Sequence, residues 1–192
     1  MSFLYIFFFP FLLSSESSQL KRPTETASLQ NFVVKNVQGF LLYIDKKHYR
    51  EHPKVMARVL QEMKAQLYQI RLVLPAQALS ILQERVPFWV AYEGGPGLSF
   101  HPSYRWLLEH GYSSPQGATS LISNCKAENF LSASLNQSWV LLHELAHGYD
   151  FLYLGKGKRY SNERIKQCFE QIKAHGVYEW AVSYTHLRAH ET

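Results

Sequence analysis

The chain has 192 residues, of which 46% are apolar and 15% aromatic. This composition indicates a globular protein with a sizeable core and excludes a disordered polypeptide. The net charge of +5 is modest, and no stripe combines basic residues with stacking aromatics, so nucleic-acid binding is not expected. The length leaves room for one domain and hardly for two.

The N-terminus begins with an apolar block over residues 3–13. This block is too short to cross a bilayer, since a spanning helix needs about 20 residues. A small polar stretch follows it and offers a signal-peptidase site. We therefore predict a signal peptide over residues 1–18, a polar linker over residues 19–31, and a secreted or extracytoplasmic protein without a stable membrane span. A buried N-terminal strand is the alternative.

The first half of the domain combines two strands with a long helix. β-Branched and aromatic runs at residues 32–34 and 40–44 predict two strands that join as a hairpin around Gln38 and Gly39. Apolar residues then recur every three or four positions over residues 53–72, which predicts an amphipathic helix of about five turns.

Further short elements follow before the second half of the chain. A second helix is predicted over residues 76–86, where Pro87 stops it, and the run at 88–92 predicts a strand. Short extended pieces are expected at residues 120–122 and 130–131. Because helices and strands are mixed without repeats, the sequence predicts an α+β fold.

The pattern His-Glu-x-x-His occurs inside an apolar, helix-compatible run over residues 140–151. On a helix, His143 and His147 lie one turn apart on the same face. This spacing suits two imidazole ligands of one tetrahedral Zn²⁺, with Glu144 as general base at the open coordination position. Five apolar residues are expected to bury the helix: Val140, Leu141, Leu142, Leu145 and Ala146. The alternative is a buried helix whose histidines hydrogen-bond to the backbone or to Glu144.

A catalytic zinc site needs a third protein ligand, and the sequence leaves its identity open. Asp150 lies seven residues after His143, about 20° from the same helical face, and we expect it to orient a histidine. A carboxylate without a role is an equal alternative. A further helix is predicted over residues 162–174. Glu163 opens this helix, where its negative charge interacts favourably with the helix dipole, and Glu170 is expected to be solvated.

Two other features have roles that the sequence leaves open. The segment at residues 99–107 is rich in aromatic and hydrogen-bonding side chains, and it suits either a cleft wall or a structural loop with a hydrogen-bonded His101. Cys125 and Cys168 suit either one disulfide or two buried free thiols. Neither cysteine has metal-ligand spacing from the other, so neither is counted as a ligand.

Three segments in this order resemble a family of secreted zinc metallopeptidases: FHPSYRWLLEHGY, ISNCKAENF and VLLHELAHGYDF. That family is distantly similar to the catalytic domain of the anthrax-lethal-factor group, and the similarity runs over residues 32–180. The resemblance implies a zincin-like domain in which a small sheet packs on the HExxH helix. It also implies that His143 and His147 bind Zn²⁺ and that Glu144 is the catalytic base.

The chain departs from this family near its C-terminus. Relatives continue into a motif like N-x-x-E-Y-F-A-E, whose glutamate is the expected third ligand, and nothing after Trp180 matches it. Residues 183–192 resemble a translated adapter tail, so their histidines and glutamate are not counted as ligands. We therefore predict a metallopeptidase-like domain over residues 32–182 that is truncated at its C-terminus.

Taken as a whole, the sequence predicts a zinc-dependent metallopeptidase that acts on a peptide or protein substrate through Glu144. One alternative is a secreted, non-catalytic binding domain that keeps the HExxH helix without a complete zinc site. Another is an interaction protein that uses the aromatic segment at residues 100–106 as its contact surface. Neither the cleavage specificity nor the oligomeric state follows from the sequence.

Overall fold

The structure of the chain is a computed structural model that describes residues 27–95, 97–112, 114–115, 120–124, 126–158 and 161–175. The predicted signal peptide, the end of the predicted domain and the predicted tail therefore lie outside the described residues. The last part of the predicted linker, Ala27–Asn31, forms a 3₁₀ turn. None of the helices among the described residues is long and apolar enough to cross a membrane.

One sheet contains the five strands of the described residues. The strands are β1 (Phe32–Val37), β2 (Phe40–Asp45), β3 (Phe88–Val90), β4 (Leu98–His101) and β5 (Leu121–Asn124). Their spatial order is β1-β2-β3-β5-β4. The two outer pairs are antiparallel, and β3 is parallel to both of its neighbours. The predicted hairpin of β1 and β2 is confirmed.

The described helices complete an α+β fold, as predicted. They are α1 (Lys46–Glu51), α2 (Pro53–Val73), α3 (Ala76–Arg85), α4 (Tyr104–Glu109), α5 (Ala127–Asn136), α6 (Val140–Tyr149) and α7 (Glu163–Ala174). The first three helices connect β2 to the parallel strand β3, since parallel neighbours need a crossover connection. The helix that carries the HExxH pattern, α6, packs against β4 and β5.

One prediction of local structure is wrong, and one of two open alternatives for another segment is corrected. Residues 130–131, predicted as extended, lie within α5, where Ala127 and Phe130 are buried at helical spacing. This helical spacing of apolar residues outweighs the local β propensity of a two-residue run. The segment at 99–107, which the structural alternative treated as a loop, contributes to β4 and α4 instead.

The core lies on both faces of the central strand β3. Phe88 and Val90 belong to the main apolar cluster, which includes residues of α2, α3, α5 and α6. Trp89 belongs to a second, smaller cluster with Phe32 and Leu107. A strand that is buried on both faces reads as a continuous apolar run, which is the reason that the sequence showed β3 clearly.

The last described helix, α7, is amphipathic, as predicted, but two residues of its apolar side are exposed. Ile165 is 48% exposed and Phe169 is 39% exposed. The Asn162 side chain caps the first turn by accepting hydrogen bonds from two backbone N–H groups. Glu163 pairs with Lys166 at 2.8 Å on the surface, where such a pair stabilises little.

The hairpin turn between β1 and β2 requires an unusual backbone. Gln38 and Gly39 both have positive φ, 58° and 91°, as a two-residue turn of this kind demands. The side chain of Asn36 accepts a hydrogen bond from the Gly39 N–H at 3.0 Å. The Gln83 amide of α3 donates to the Gln38 carbonyl at 2.8 Å, and a Cβ on Gly39 would clash with that amide.

We predict that Gly39→Ala lowers the free energy of unfolding by about 1–3 kcal/mol, the cost of a strained backbone position, as measured by urea denaturation. The substitution also displaces Gln83 from its hydrogen bond. Gly111→Ala is the matched control, because Gly111 has a φ of 77° and a Cβ added there would have no neighbouring atom within 4 Å. Equal losses in the two variants would contradict a contribution from Gln83.

Candidate metal centre

The buried face of α6 differs in part from the prediction. Three of the five apolar residues expected to bury the helix are buried: Val140, Leu141 and Leu145. Leu142 is half-buried, whereas Ala146 is exposed and its prediction is wrong. Glu144 and Gly148 are buried instead. These two positions continue the three-and-four spacing from Leu141, so the polar Glu144 lies on the core side of the helix.

The two histidines of the pattern lie side by side. The Nε2 atoms of His143 and His147 are 3.2 Å apart, and their rings are nearly perpendicular, with an interplanar angle of 86°. Both side chains are half-buried. Helical spacing therefore brings the Nε2 atoms of the two predicted ligands close together.

This arrangement fits Zn²⁺ as far as the two histidines are concerned. Two nitrogen ligands with bonds of about 2.0–2.1 Å and a tetrahedral angle are separated by about 3.3 Å. The observed 3.2 Å is close to that value. The same distance also suits a single N–H···N hydrogen bond between one donor imidazole and one acceptor. Across the described ranges, no group of three His, Cys, Asp or Glu side chains is arranged to hold a metal ion.

Glu144 connects α6 to β4, the last strand of the described sheet on this side. Its Oε2 accepts a hydrogen bond from the Phe100 N–H at 2.7 Å, and the residue is only 5% exposed. The distance of 2.7 Å lies at the short end of the range for N–H···O hydrogen bonds in proteins. Because neighbouring residues of a strand direct their N–H groups to opposite sides, this bond indicates that the Phe100 N–H faces away from β5.

Gly148 allows α6 to approach β4 closely. A Cβ at this position would lie 3.2 Å from Val86 Cγ2 and 3.3 Å from the Phe100 ring, and both of these side chains are buried. The missing side chain therefore lets the helix reach the strand at the residue that binds Glu144. No role was predicted for Gly148 from the sequence, although a glycine inside a helical pattern is a signal of close packing.

The predicted helix over residues 140–151 changes character at its end. α6 ends at Tyr149, and Asp150–Leu154 continues as a π turn that the Gly155 N–H closes on the Asp150 carbonyl at 2.6 Å. A side chain on Gly155 would clash with the backbone of Lys158. Asp150 is half-buried with a buried Oδ1, and its role as an orienting carboxylate stays a prediction.

The other carboxylates and the two cysteines considered from the sequence lie on α7 or outside the described residues. Glu163 and Glu170 are exposed, which agrees with the expected solvation of Glu170. Cys168 is an exposed free thiol, so the interpretation as a buried thiol is wrong for this residue. Cys125 lies outside the described residues.

Aromatic side chains at the end of β4 and after it form a stack of rings at the surface. The Trp106 ring lies nearly parallel to the His110 ring at 3.9 Å and to the His101 ring at 5.3 Å, measured between centroids. His101 Nε2 is hydrogen-bonded to Ser99 Oγ at 2.7 Å, as the structural interpretation predicted. A role of this segment in forming a cleft wall or in stabilising an oxyanion stays a prediction.

A tyrosine pair follows the histidines at the end of α6. The rings of Tyr149 and Tyr153 stack with centroids 5.0 Å apart. Burial raises the pKa of the Tyr149 phenol, and the electrostatic effect of Tyr153 raises it further. Burial also raises the pKa of Tyr43 on β2. In both cases, removal from water disfavours the ionised phenolate.

Comparisons of the chain with protein-family models, curated proteins and solved structures found no match. The zincin-like fold and the resemblance to secreted metallopeptidases therefore stay predictions, carried by the sequence segments that suggested them. The coarser prediction of a mixed α+β domain is confirmed by the element order.

We predict that Gly148→Ala lowers the stability although alanine is the better helix former. Helix propensity contributes about 1 kcal/mol in its favour. The added methyl group must displace two buried side chains, and such overpacking costs about 1–3 kcal/mol. Thermal denaturation measures the net effect. Ala146→Gly is the control, because this exposed position changes propensity alone, and a rise in Tm for Gly148→Ala would contradict the close contact.

We predict that Tyr149→Phe reduces the loss of stability at alkaline pH. The folded-state pKa of Tyr149 lies above the ordinary tyrosine value of 10.0. The stability that its protonated phenol contributes is therefore fully present below pH 10.0 and is lost as the pH rises through the folded-state pKa. Urea midpoints measured between neutral pH and strongly alkaline pH give the slope. Tyr68→Phe, at a 52% exposed position of α2, is the control. Identical alkaline slopes for Tyr149→Phe and the wild type would contradict the prediction.

Proposed function

We propose that this protein is a zinc-dependent metallopeptidase that hydrolyses peptide bonds in a peptide or protein substrate. The observation that carries the proposal is the joint placement of the three HExxH side chains. His143 and His147 present their Nε2 atoms 3.2 Å apart, and the adjacent Glu144 carboxylate is held at the sheet edge by the Phe100 N–H.

In this proposal, His143 and His147 hold Zn²⁺, which polarises a scissile carbonyl and acidifies water when it is bound. Glu144 takes the proton from water and delivers it to the leaving amine. The bond from the Phe100 N–H fixes the position of the carboxylate in advance, so that little reorganisation is needed when the proton moves. Burial of Glu144 also strengthens its electrostatic interactions within the site.

The position of β4 supports a peptide as the substrate. β4 is the last strand of the described sheet on this side, and it lies beside the candidate catalytic residue. An extended peptide can add to an edge strand through backbone hydrogen bonds, with side-chain pockets giving specificity. Such a peptide would pair with β4 outside Phe100, because the Phe100 N–H already donates to Glu144.

We predict that Glu144→Gln in the full chain keeps its zinc but loses peptidase activity by about 10²–10⁴-fold, the usual contribution of a general base. Zinc content is measured by elemental analysis after dialysis, and activity is measured on a mixture of unstructured peptides. His143→Ala should lose both zinc and activity. Glu128→Gln, at an exposed position of α5, is the matched control and should retain both.

The outcomes separate the proposed peptidase from the binding domain. An active Glu144→Gln variant would show that the assigned base is wrong. Two results together would favour a non-catalytic binding domain. The wild-type protein would retain no zinc after dialysis, and the His143→Ala variant would fold as the wild type does. Zinc retention without cleavage of any peptide in the mixture would leave a metal-binding protein and exclude the peptidase.

A further inference from the structure

A buried glutamine on α2 contacts the start of the HExxH helix. Gln66 is only 3% exposed. Its Nε2 donates to Glu62 Oε1 at 2.8 Å and to Ser134 Oγ of α5 at 3.0 Å. Its Oε1 accepts from the Leu141 N–H of α6 at 3.3 Å. One side-chain amide therefore joins three helices.

The Leu141 N–H is one of the groups that a helix cannot pair internally. The first four N–H groups of a helix lack partners within it and need an outside acceptor when they are buried. The residue at the N-cap of α6 is Trp139, and its side chain makes no capping hydrogen bond. Gln66, which lies 75 residues earlier in the chain, supplies the acceptor for Leu141.

This cap from another helix has a geometric consequence that a local cap would lack. A serine or aspartate at the N-cap satisfies the same N–H but leaves the helix free to move as a unit. A cap from α2 fixes the axial position and the rotation of α6 relative to the core. His143 and Glu144 follow Leu141 by two and three residues, so they lie within the same helical turn.

The geometry points to Gln66 as a positioning residue that holds α6 where Glu144 reaches the Phe100 N–H and His143 reaches the shared metal position. This inference rests on the proposed function for its consequence on zinc. Its consequence on Glu144 does not require the metal. A buried amide is also a costly choice for packing alone, because an apolar side chain of the same size needs no hydrogen bonds.

The test is Gln66→Met in the full chain, since methionine has a similar shape but its thioether is only a weak acceptor for the Leu141 N–H. We predict that the amide proton resonance of Phe100 shifts in the NMR spectrum of the metal-free protein. We also predict that zinc affinity, measured by chelator competition, falls about tenfold or more, the size of effect that follows loss of residues orienting metal ligands.

Val59→Ala is the control for a general loss of stability. Val59 is fully buried on α2, seven residues before Gln66 on the same side of the helix. Its truncation weakens the core without removing the cap of α6. Compared at temperatures equally far below each variant's Tm, Val59→Ala should keep the Phe100 resonance and the zinc affinity of the wild type.

An exchange variant tests the hydrogen bond itself. In the double variant Glu62→Gln and Gln66→Glu, the carboxylate at position 66 still accepts from the Leu141 N–H. The hydrogen bond between positions 62 and 66 is also kept, but the side chain at position 62 now donates it. The new carboxylate lies at a helix N-terminus, where the dipole stabilises it. We predict a Phe100 resonance close to that of the wild type. If Gln66→Met fails to fold, the exchange variant decides, and a shifted Phe100 resonance in it overturns the inference.

The readouts distinguish failure of the inference from failure of the proposed function. An unmoved Phe100 resonance in Gln66→Met, with no greater loss of zinc affinity than in Val59→Ala, overturns the positioning role. A wild-type protein without zinc affinity overturns the proposed function, and the Phe100 resonance then decides the placement of Glu144 alone.

Discussion

The hydrogen bond from the Phe100 N–H to the Glu144 carboxylate is the interaction on which the candidate site depends. It joins a residue in the middle of the HExxH pattern to the edge strand of the sheet. The bond supplies an N–H donor to a carboxyl group on the core side of an apolar helix, where a buried polar group needs hydrogen-bond partners. The position of α6 on β4 and the burial of Glu144 therefore require each other.

Several features of the surrounding structure are explained by this requirement. Gly148 removes the side chain that would separate α6 from Phe100. Phe151, in the π turn after α6, packs against the same Phe100 ring with centroids 6.1 Å apart. Gln66 joins the other end of α6 to α2. If α6 and α2 were selected for stability alone, apolar residues would occupy the buried positions of Glu144 and Gln66. Polar groups at such positions stabilise a protein little even when they are hydrogen-bonded.

The sequence predicted the local elements better than their assembly. The periodicity of α2 and the hairpin with Gln38 and Gly39 were visible because each depends on residues close in the chain. The insertion of β5 between β3 and β4 depends on pairings between distant residues, and no local pattern encodes it. For the same reason, the apolar pattern of α6 predicted a buried helix but not that Ala146 faces outward and Glu144 inward.

The candidate site was predicted to a similar extent. The spacing of His143 and His147 alone placed them together, because one helical turn fixes their relation. The partner of Glu144 is 44 residues away and the partner of Leu141 is 75 residues away, so neither contact could be inferred from sequence. Backbone donors such as the Phe100 N–H carry no residue-specific signal at all. Sequence reasoning therefore found the candidate reactive groups and missed the groups that contact them.

The distance between the two histidines has a consequence for metal binding. A direct N–H···N bond requires a proton on one Nε2, whereas two zinc ligands require a lone pair on both. Conversion between the two states moves that proton to Nδ1 or to solvent, while the Nε2 atoms separate by only about 0.1 Å, since tetrahedral zinc ligands lie about 3.3 Å apart. The heavy atoms are thus arranged in advance, and little conformational free energy is spent on forming the pair. Under the proposed function, the Zn²⁺ affinity would then depend on a third ligand and on the loss of the histidine–histidine hydrogen bond, worth about 0.5–1.5 kcal/mol.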